Sequence, residues 1–526
     1  MTEFYSSGQW VSIAMKAVAQ TDGSARAIAD FILTEVGGVG HGRDGQLATA
    51  FASGVAELAQ YARSQPDETS SSVDEEREAI EVSRRVMRPL FEGRLQQRLD
   101  LLDARHAGAA SCTRCDSTLE SEGRRQRGWG SLLGAISLRR RYASCAECGG
   151  GEAPAQKMLG LPEEHFTARL EEAVTMMATT VPFEMARMLV AKLCGIEVSK
   201  KAIEDMTERR AERLLATQMA DSERYAPYNE SGLPKPGAER PSDAVPISEL
   251  GDIAYAEFDG VLPMTRELLP PEELSKADLE QLRVAEQSKA RGGKGRRYNL
   301  VGKEVKNAVL YRGNDCAKES PQRGCILDKT YVSYLGSWTV FAALLWVQLA
   351  RLRFDQVKLL VILSDGAEWI RSIAQWLPFE TLLILDLFHV KHRIVEVAHA
   401  LYGQTSALAA AWAHAQYDRI DAGQALMVID ALRFVEPSTA DATKKVDELK
   451  TYLRNNLDRM NYPAYLARGL RISSAAVESA NFHVTGQRLK CQGMRWDEQG
   501  ARHMAALRAD LFNGRWEATT KQLLAA

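Results

Sequence analysis

The sequence predicts a mixed α/β protein whose core is a largely parallel sheet, with helical and metal-stabilised additions ahead of it. Three observations carry this. Residues 357–392 hold two short apolar runs, 357–363 and 382–385, separated by a helical pattern in which Trp369, Ile370, Ile373 and Trp376 are apolar. Continuous apolar runs belong to strands buried on both faces, so this stretch is a strand–helix–strand unit of a parallel sheet. Each run ends abruptly in a carboxylate, Asp365 and Asp386, and ligand groups collect at such strand ends. Finally, IAYAEFDGVLPMT (253–265) is a strand that reads straight into a further acid, Asp259.

At 526 residues the chain has room for three or four domains. Hydrophobic residues make up 45% and charged ones 26%, which is ordinary for a soluble globular protein. A net charge of −3 gives no overall electrostatic case for nucleic acid, so any such case rests on local patches. Glu3 interrupts the start and no apolar segment follows, so no signal peptide is expected. The most apolar helix pattern, 340–349, is about half of the roughly twenty residues that a membrane span needs. A cytoplasmic protein without membrane association is therefore expected.

Residues 1–106 read as a helical region containing a glycine cluster, GGVGHGRDG (37–45), a polar stretch at 64–76, and a long Arg/Glu-rich helix over 77–106. The cluster matches G-x-G-x-x-G in letters only, since no βαβ unit surrounds it, and it is read as a turn. Residues 107–160 carry Cys112-x-x-Cys115 and Cys145-x-x-Cys148. Two such knuckles let four thiolates converge tetrahedrally on one structural Zn²⁺, with the glycine-punctuated segment between them forming a hairpin: a zinc ribbon. Residues 161–220 are helical, with a turn at Gly195 and a second helix from about Ser199. This is the shape of a helix-turn-helix, which would set Lys200 and Lys201 against DNA, and equally that of many helical hairpins. Residues 221–250, rich in Pro, Ser, Gly and acids, read as a linker.

The core begins at 251 and runs to 392. A short strand follows Gly260, GKEVKNAVLYRG (302–313) is a strand of the antiparallel kind, and 338–352 is a helix. The order strand, strand, strand, helix, strand, helix, strand matches a ribonuclease H-like fold. In that fold the first and fourth strands lie side by side, which would bring Asp259 and Asp365 together. A third acid is expected on a helix beyond the fifth strand, and ISSAAVESANFHVTGQRLK (472–490) supplies Glu478, with Ser473 or Ser474 as a cap. Three carboxylates from separate elements can hold two Mg²⁺ (or Mn²⁺) ions, one for the attacking and one for the leaving oxygen of a phosphodiester. Residues 393–470 read as an all-helical insertion, and 471–526 as the final core helix and C-terminal region.

FDG (258–260), KEVKNAVLY (303–311), SDGAEWI (364–370), DLFHVKH (386–392) and VESANFHVTGQRLKCQGMRW (477–496) together resemble bacterial insertion-sequence transposases of the ISKra type, within the Mutator-like branch of the DDE transposases. The resemblance spans roughly residues 80–520. It implies a catalytic triad at Asp259, Asp365 and Glu478, and an accompanying C/D-x-x-H signature at Asp386 and His389. It further implies cleavage at the inverted repeats that end an element, transfer of the freed 3′-OH into target DNA, and a homo-oligomer that synapses two ends, acting at the bacterial nucleoid. A structure-specific nuclease or resolvase, and a DNA-binding factor with a vestigial core, are the rival readings. His389 also has a purely structural reading at a strand end.

Two segments suit DNA contact. Lys289, Arg291, Lys294, Arg296 and Arg297 form a glycine-threaded basic loop, fit for phosphates or for solvent alone. Beyond Glu478, the side chains of Arg488, Lys490, Arg495 and Trp496 could grip a DNA end beside the metals.

Overall fold

The computed structural model describes residues 7–21, 24–35, 43–64, 71–105, 111–249, 251–269, 275–277, 279–280, 298–320 and 323–525. The basic loop at 289–297 and most of the glycine cluster at 37–45 lie outside the described residues. Two compact units emerge, one of residues 1–177 and 183–203, the other of 178–182 and 204–526. The chain thus divides within its helical region and not in the expected linker at 221–250. That stretch is tied down by the second unit. Arg240 makes a two-pronged ion pair with Asp355 (2.7 and 2.6 Å), Val245 N–H bonds the Arg351 carbonyl (2.9 Å), and Trp376 donates to the Pro234 carbonyl.

In the first unit, helices Ser7–Gln20, Ala25–Glu35 and Arg43–Arg63 bury Ile13, Ile28 and Ile32 against the small side chains of Ala17, Ala52 and Ala56. Helix Ser72–Arg105 starts in a reciprocal cap. The Ser71 hydroxyl accepts from Asp74 N–H, and the Asp74 carboxylate accepts from Ser71 N–H. Downstream, its polar side chains serve the three-stranded ribbon of β1 (Glu120–Ser131), β2 (Gly134–Ser144) and β3 (Gly151–Glu152). Glu92, Gln96 and Asp103 accept from the backbone N–H groups of Ser137, Arg139 and Arg141, so the helix closes an otherwise open edge of β2. Leu99 joins Trp129, Ile136 and Leu138 in the core beneath.

The second unit centres on β4 (Ile253–Val261). Two small ribbons lie between its strands in sequence: β5 (Met264–Leu268) with β6 (Tyr298–Gly302), and β8 (Cys316–Ser320) with β9 (Arg323–Ile326). With β7 (Val305–Arg312), β10 (Thr330–Leu335), β11 (Leu359–Ser364) and β12 (Thr381–Leu385), the five-stranded sheet has the order β10-β7-β4-β11-β12. β4, β11 and β12 are mutually parallel, and β7 runs antiparallel between β4 and β10. The short strand expected after Gly260 therefore does not join this sheet. Its place is taken by TYVSYL (330–335), an aromatic and β-branched segment that the sequence reading passed over.

Residues alternate across β4. Ala254, Ala256 and Phe258 face helices Trp338–Leu352 and Glu368–Trp376, where Phe258, Phe341 and Trp369 meet edge to face. Tyr255 faces the other core, with Val361, Leu363, Val390, Ile394 and Val477. By the same alternation Glu257 and Asp259 belong to that second face. Residues 393–470 are helical, in Leu387–Tyr402, Ala407–Asp421, Ala425–Ala431, Ala440–Asn455 and Tyr462–Ala467 with short connections. At the far edge, Asn513 behaves as a surrogate strand: its side-chain amide accepts from Tyr331 N–H (2.7 Å) and donates to the Tyr331 carbonyl (2.9 Å). No helix among the described residues is long and apolar enough to cross a membrane.

Candidate active site

Strand register sets the site. Ser364 pairs with Phe258 across β11 and β4 and with Leu385 across β11 and β12, so the next residues along the three strands, Asp259, Asp365 and Asp386, come level at one sheet edge. Neighbouring strands lie about 4.8 Å apart, which puts these acids within mutual electrostatic reach. Asp259 accepts from Gly260 N–H (2.7 Å), and Asp365 accepts from Ala367 N–H (3.0 Å). Burial pushes the Asp259 carboxyl up to about 6, and the nearby charges of Asp365 and Glu478 add to the rise.

Glu478 arrives on helix Ala475–Ala480. Ser474 stands before this helix, but its hydroxyl does not cap it. It donates to Asp386 Oδ2 (2.9 Å) instead. The cap comes from the sheet: Glu257, fully buried on β4, accepts from Val477 N–H (3.0 Å) and from the Tyr311 hydroxyl (2.5 Å). Burial pushes Glu257 up to about 7. The helix continues into a wider turn, Asn481–Gly486, and Asn481 donates its amide to Asp259 while accepting from Asn307 (2.7 Å). Asn307, the register partner of Asp259 on β7, in turn accepts from Ser333 (2.6 Å) and Thr485 (3.0 Å). Glu257 and Asn307 carry no signal of their own in the sequence, because their role depends on which face of β4 and β7 they occupy.

Asp386 is fully buried. Its Oδ1 accepts from His389 N–H (2.7 Å) and its Oδ2 from the N–H and hydroxyl of Ser474. Burial pushes its carboxyl up, but these bonds from His389 and Ser474 hold it below the ordinary carboxylate range. This carboxylate, expected beside the catalytic acids, is enclosed by its donors and turned to His389 and Ser474. His389 is the group it positions, with Nδ1 3.2 Å from Asp386 Oδ1 and 3.6 Å from Glu478 Oε1. The Asp386 carboxylate raises the His389 pKa against the effect of burial, and Glu478 and Asp259 contribute. Ligand atoms of Asp386, His389 and Glu478 lie within 4.8 Å of one another.

Two of the expected DNA-gripping residues are interior. Arg488 is fully buried, donating to the Ala178 carbonyl (3.0 Å) with its guanidinium 4.9 Å from the centre of the Trp496 ring. Trp496 is buried too, its indole bonded to the Leu489 carbonyl (3.1 Å) and its backbone bonded to β5. Lys490 and Arg495 are exposed, with Arg495 bonded to the Tyr298 hydroxyl (3.2 Å). In the first unit, helix Phe183–Leu189 and the turn Val190–Cys194 lead to Gly195 at φ +62°, and Lys200 and Lys201 sit exposed at the start of helix Lys200–Tyr225. Ser199 caps that helix through Ala202 N–H (3.1 Å).

The four cysteines gather as their spacing requires, with Sγ atoms of Cys112 and Cys148 3.6 Å apart and those of Cys115 and Cys145 3.4 Å apart. The knuckles are equivalent. Cys112 N–H bonds the Ser117 carbonyl and Cys145 N–H the Gly150 carbonyl, and each loop turns through a left-handed residue, Asp116 or Gly149. Hydrogen bonds at Ser117 lower the Cys115 thiol to about 6, whereas Cys148, despite a bond from Gly150 N–H, is pushed up to about 12 by the neighbouring cysteines, so the four sulfurs share their protons as one group. The cluster can hold a structural zinc ion.

Residues 336–522 match the model of an uncharacterised protein family, UPF0236; the matched span takes in Asp365, Asp386, His389 and Glu478 and begins after Asp259. No curated protein matches the chain.

Proposed function

We propose that the second unit is a ribonuclease H-like nucleic-acid-processing core and that the protein is a DNA transposase of the DDE kind. The observation that carries this reading is the strand register that sets Asp259 and Asp365 level at the ends of adjacent parallel strands, with the charge of Glu478 felt at Asp259. Among the described residues the acid-bearing group close enough to share one ion is Asp386, His389 and Glu478, so a cation held by the three acids would draw them closer together. The strand order, with one antiparallel strand inside an otherwise parallel sheet and a helical insertion before the last acid, supports the same reading. The first-unit lysines Lys200 and Lys201, and Lys490 and Arg495 in the second unit, offer exposed cations for DNA phosphates.

The donor set suits hard divalent cations. The acids are oxygen ligands, and Asp259 is raised by burial first and by the charges of Asp365 and Glu478 after it, a cost that a bound cation would offset. Asp259, Asp365 and Glu478 would hold Mg²⁺ or Mn²⁺. When bound, the ions supply positive charge to the attacking and leaving oxygens of a phosphodiester. The chain's own residues do the rest. Asn481 fixes the Asp259 carboxylate, Asp386 fixes His389, and Glu257 fixes the helix that presents Glu478. His389, between Asp386 and Glu478, is placed to take or hold a proton beside the reacting phosphate. Cleavage at the element's ends would be followed by attack of the freed 3′-OH on target DNA, within an oligomer holding two ends.

The test is a cleavage and strand-transfer assay with purified protein, Mg²⁺ and duplexes carrying the inverted repeats that flank the gene. Nicked ends and joined products are expected, and Asp365→Asn should lower both at least a hundredfold. Cleavage without joining would favour a nuclease or resolvase. An Asp365→Asn protein as active as the parent would overturn the reading.

A further inference from the structure

Both strand-end turns that bear acids of the site are held from outside the sheet by the helical insertion. Tyr452, in helix Ala440–Asn455, donates its hydroxyl to the backbone carbonyl of Asp365 (2.8 Å). Tyr462, opening helix Tyr462–Ala467, donates to the carbonyl of Leu385, the residue before Asp386 (3.1 Å). A carbonyl at the end of a strand ordinarily finds water, yet here two adjacent strands are each met by a phenol from one inserted segment. Burial raises both hydroxyl pKa values, so each remains a donor across the physiological range.

The turn after Asp365 is held at several points and opens on its other side to a cleft lined by Gly366, Arg393 and Tyr452. The Arg393 guanidinium lies 4.3 Å from the centre of the Tyr452 ring, and Asn456 donates to the Tyr452 carbonyl (2.9 Å). Gly366, immediately after Asp365, has φ +95°, and a Cβ there would stand 2.9 Å from Leu385 and 3.2 Å from Asn456. The turn is therefore pinched between the end of β12 and the insertion, with no room for a side chain. Neither tyrosine touches a carboxylate. Each holds the backbone that aims one.

We propose that the insertion is a positioning device for the carboxylate site, with Tyr452 and Tyr462 as positioning residues for the turns that carry Asp365 and Asp386. This rests on reading the acids as a divalent-metal centre. Loss of either hydroxyl leaves the fold in place but lets a turn drift, the Asp365 turn directly for Tyr452 and, for Tyr462, the Asp386 turn that holds Ser474 at the start of the Glu478 helix, so the acids meet a cation less often in the right geometry.

The test is Mn²⁺ binding to the full-length, zinc-loaded protein, followed by electron paramagnetic resonance, with thermal melting alongside. Tyr452→Phe and Tyr462→Phe should each weaken Mn²⁺ binding about fivefold, the worth of one hydrogen bond, and the double variant more. Tyr465→Phe, on the same insertion with its ring edge-on to Tyr462, should bind as the parent does. If Asp365→Asn abolishes binding while both phenylalanine variants bind like the parent, the positioning role falls and the metal site stands. If Asp365→Asn binds Mn²⁺ as well as the parent, the metal site falls and the positioning role with it. Equal weakening by Tyr465→Phe would also overturn the proposal, because the effect would then be general loosening of the insertion.

Discussion

Asn481 stands one helical turn beyond Glu478 and gives its side-chain amide to Asp259, so the helix that presents one acid also holds another. The same amide group accepts from Asn307, which makes Asn481 the hinge of a polar chain running from the site into β7 and β10. Removing it leaves the half-buried chain unsatisfied. Asn481→Ala should cost about 1–2 kcal/mol of stability, seen as a lower melting temperature, and should reduce DNA cleavage at least tenfold. Asn481→Asp should be worse for cleavage at low Mg²⁺ and recover partly at high Mg²⁺, since it adds a fourth negative charge to the cluster.

Glu257 gives a pH signature. Its folded pKa is raised by burial, to about 7 from an ordinary 4.5. The native state therefore binds more protons than the unfolded chain between these values, and the contribution to stability is full below about 4.5 and is lost as pH rises toward 7. Glu257→Gln removes the titration, though it cannot keep both acceptor bonds. Unfolding free energies from denaturant titrations at pH 5 to 8 in Mg²⁺-free buffer should fall for the parent relative to Glu257→Gln, by up to about 3 kcal/mol over the whole window. Parallel curves would show that Glu257 does not titrate there.

For the cysteine cluster, elemental analysis should find about one zinc per chain. Cys145→Ser, at a buried ligand position, should lose the metal and expose β1–β3 to protease, while helices Ser7–Gln20 to Arg43–Arg63, with their own core, keep their protection.

The neighbouring cations separate cleanly. Arg488→Ala empties a buried site and strands the Ala178 carbonyl that it now serves, so it should lower the melting temperature without changing the salt dependence of DNA binding. Lys490→Ala and Arg495→Ala should leave stability nearly unchanged, weaken DNA binding across sequences, and flatten its slope against salt by about one unit each.

What could be read from the chain beforehand followed from strong local patterns. Apolar runs that stop at an acid located the ends of β4, β11 and β12, and paired knuckles located the cysteine cluster. What could not be read depended on partners distant in sequence. Arg488 looks like a DNA contact until the Ala178 carbonyl, some 310 positions away, is seen to receive it. Ser474 looks like a helix cap until Asp386 is seen to claim its hydroxyl, leaving Glu257 to take over the helix end. TYVSYL carries an ordinary strand signal, but counting the segment after Gly260 as a sheet member hid the need for it.

The side chain of Asn513 has a consequence for how copies of this protein meet. By occupying both backbone groups of Tyr331, it stops the β10 border from accepting another chain as a further strand. Growth of the sheet from that side is opposed by this amide together with Arg502, which donates to the Leu335 carbonyl (2.7 Å), so self-association there would proceed through side-chain surfaces, which can be reversible and selective, rather than through the open-ended backbone zippering that leads to insoluble aggregates.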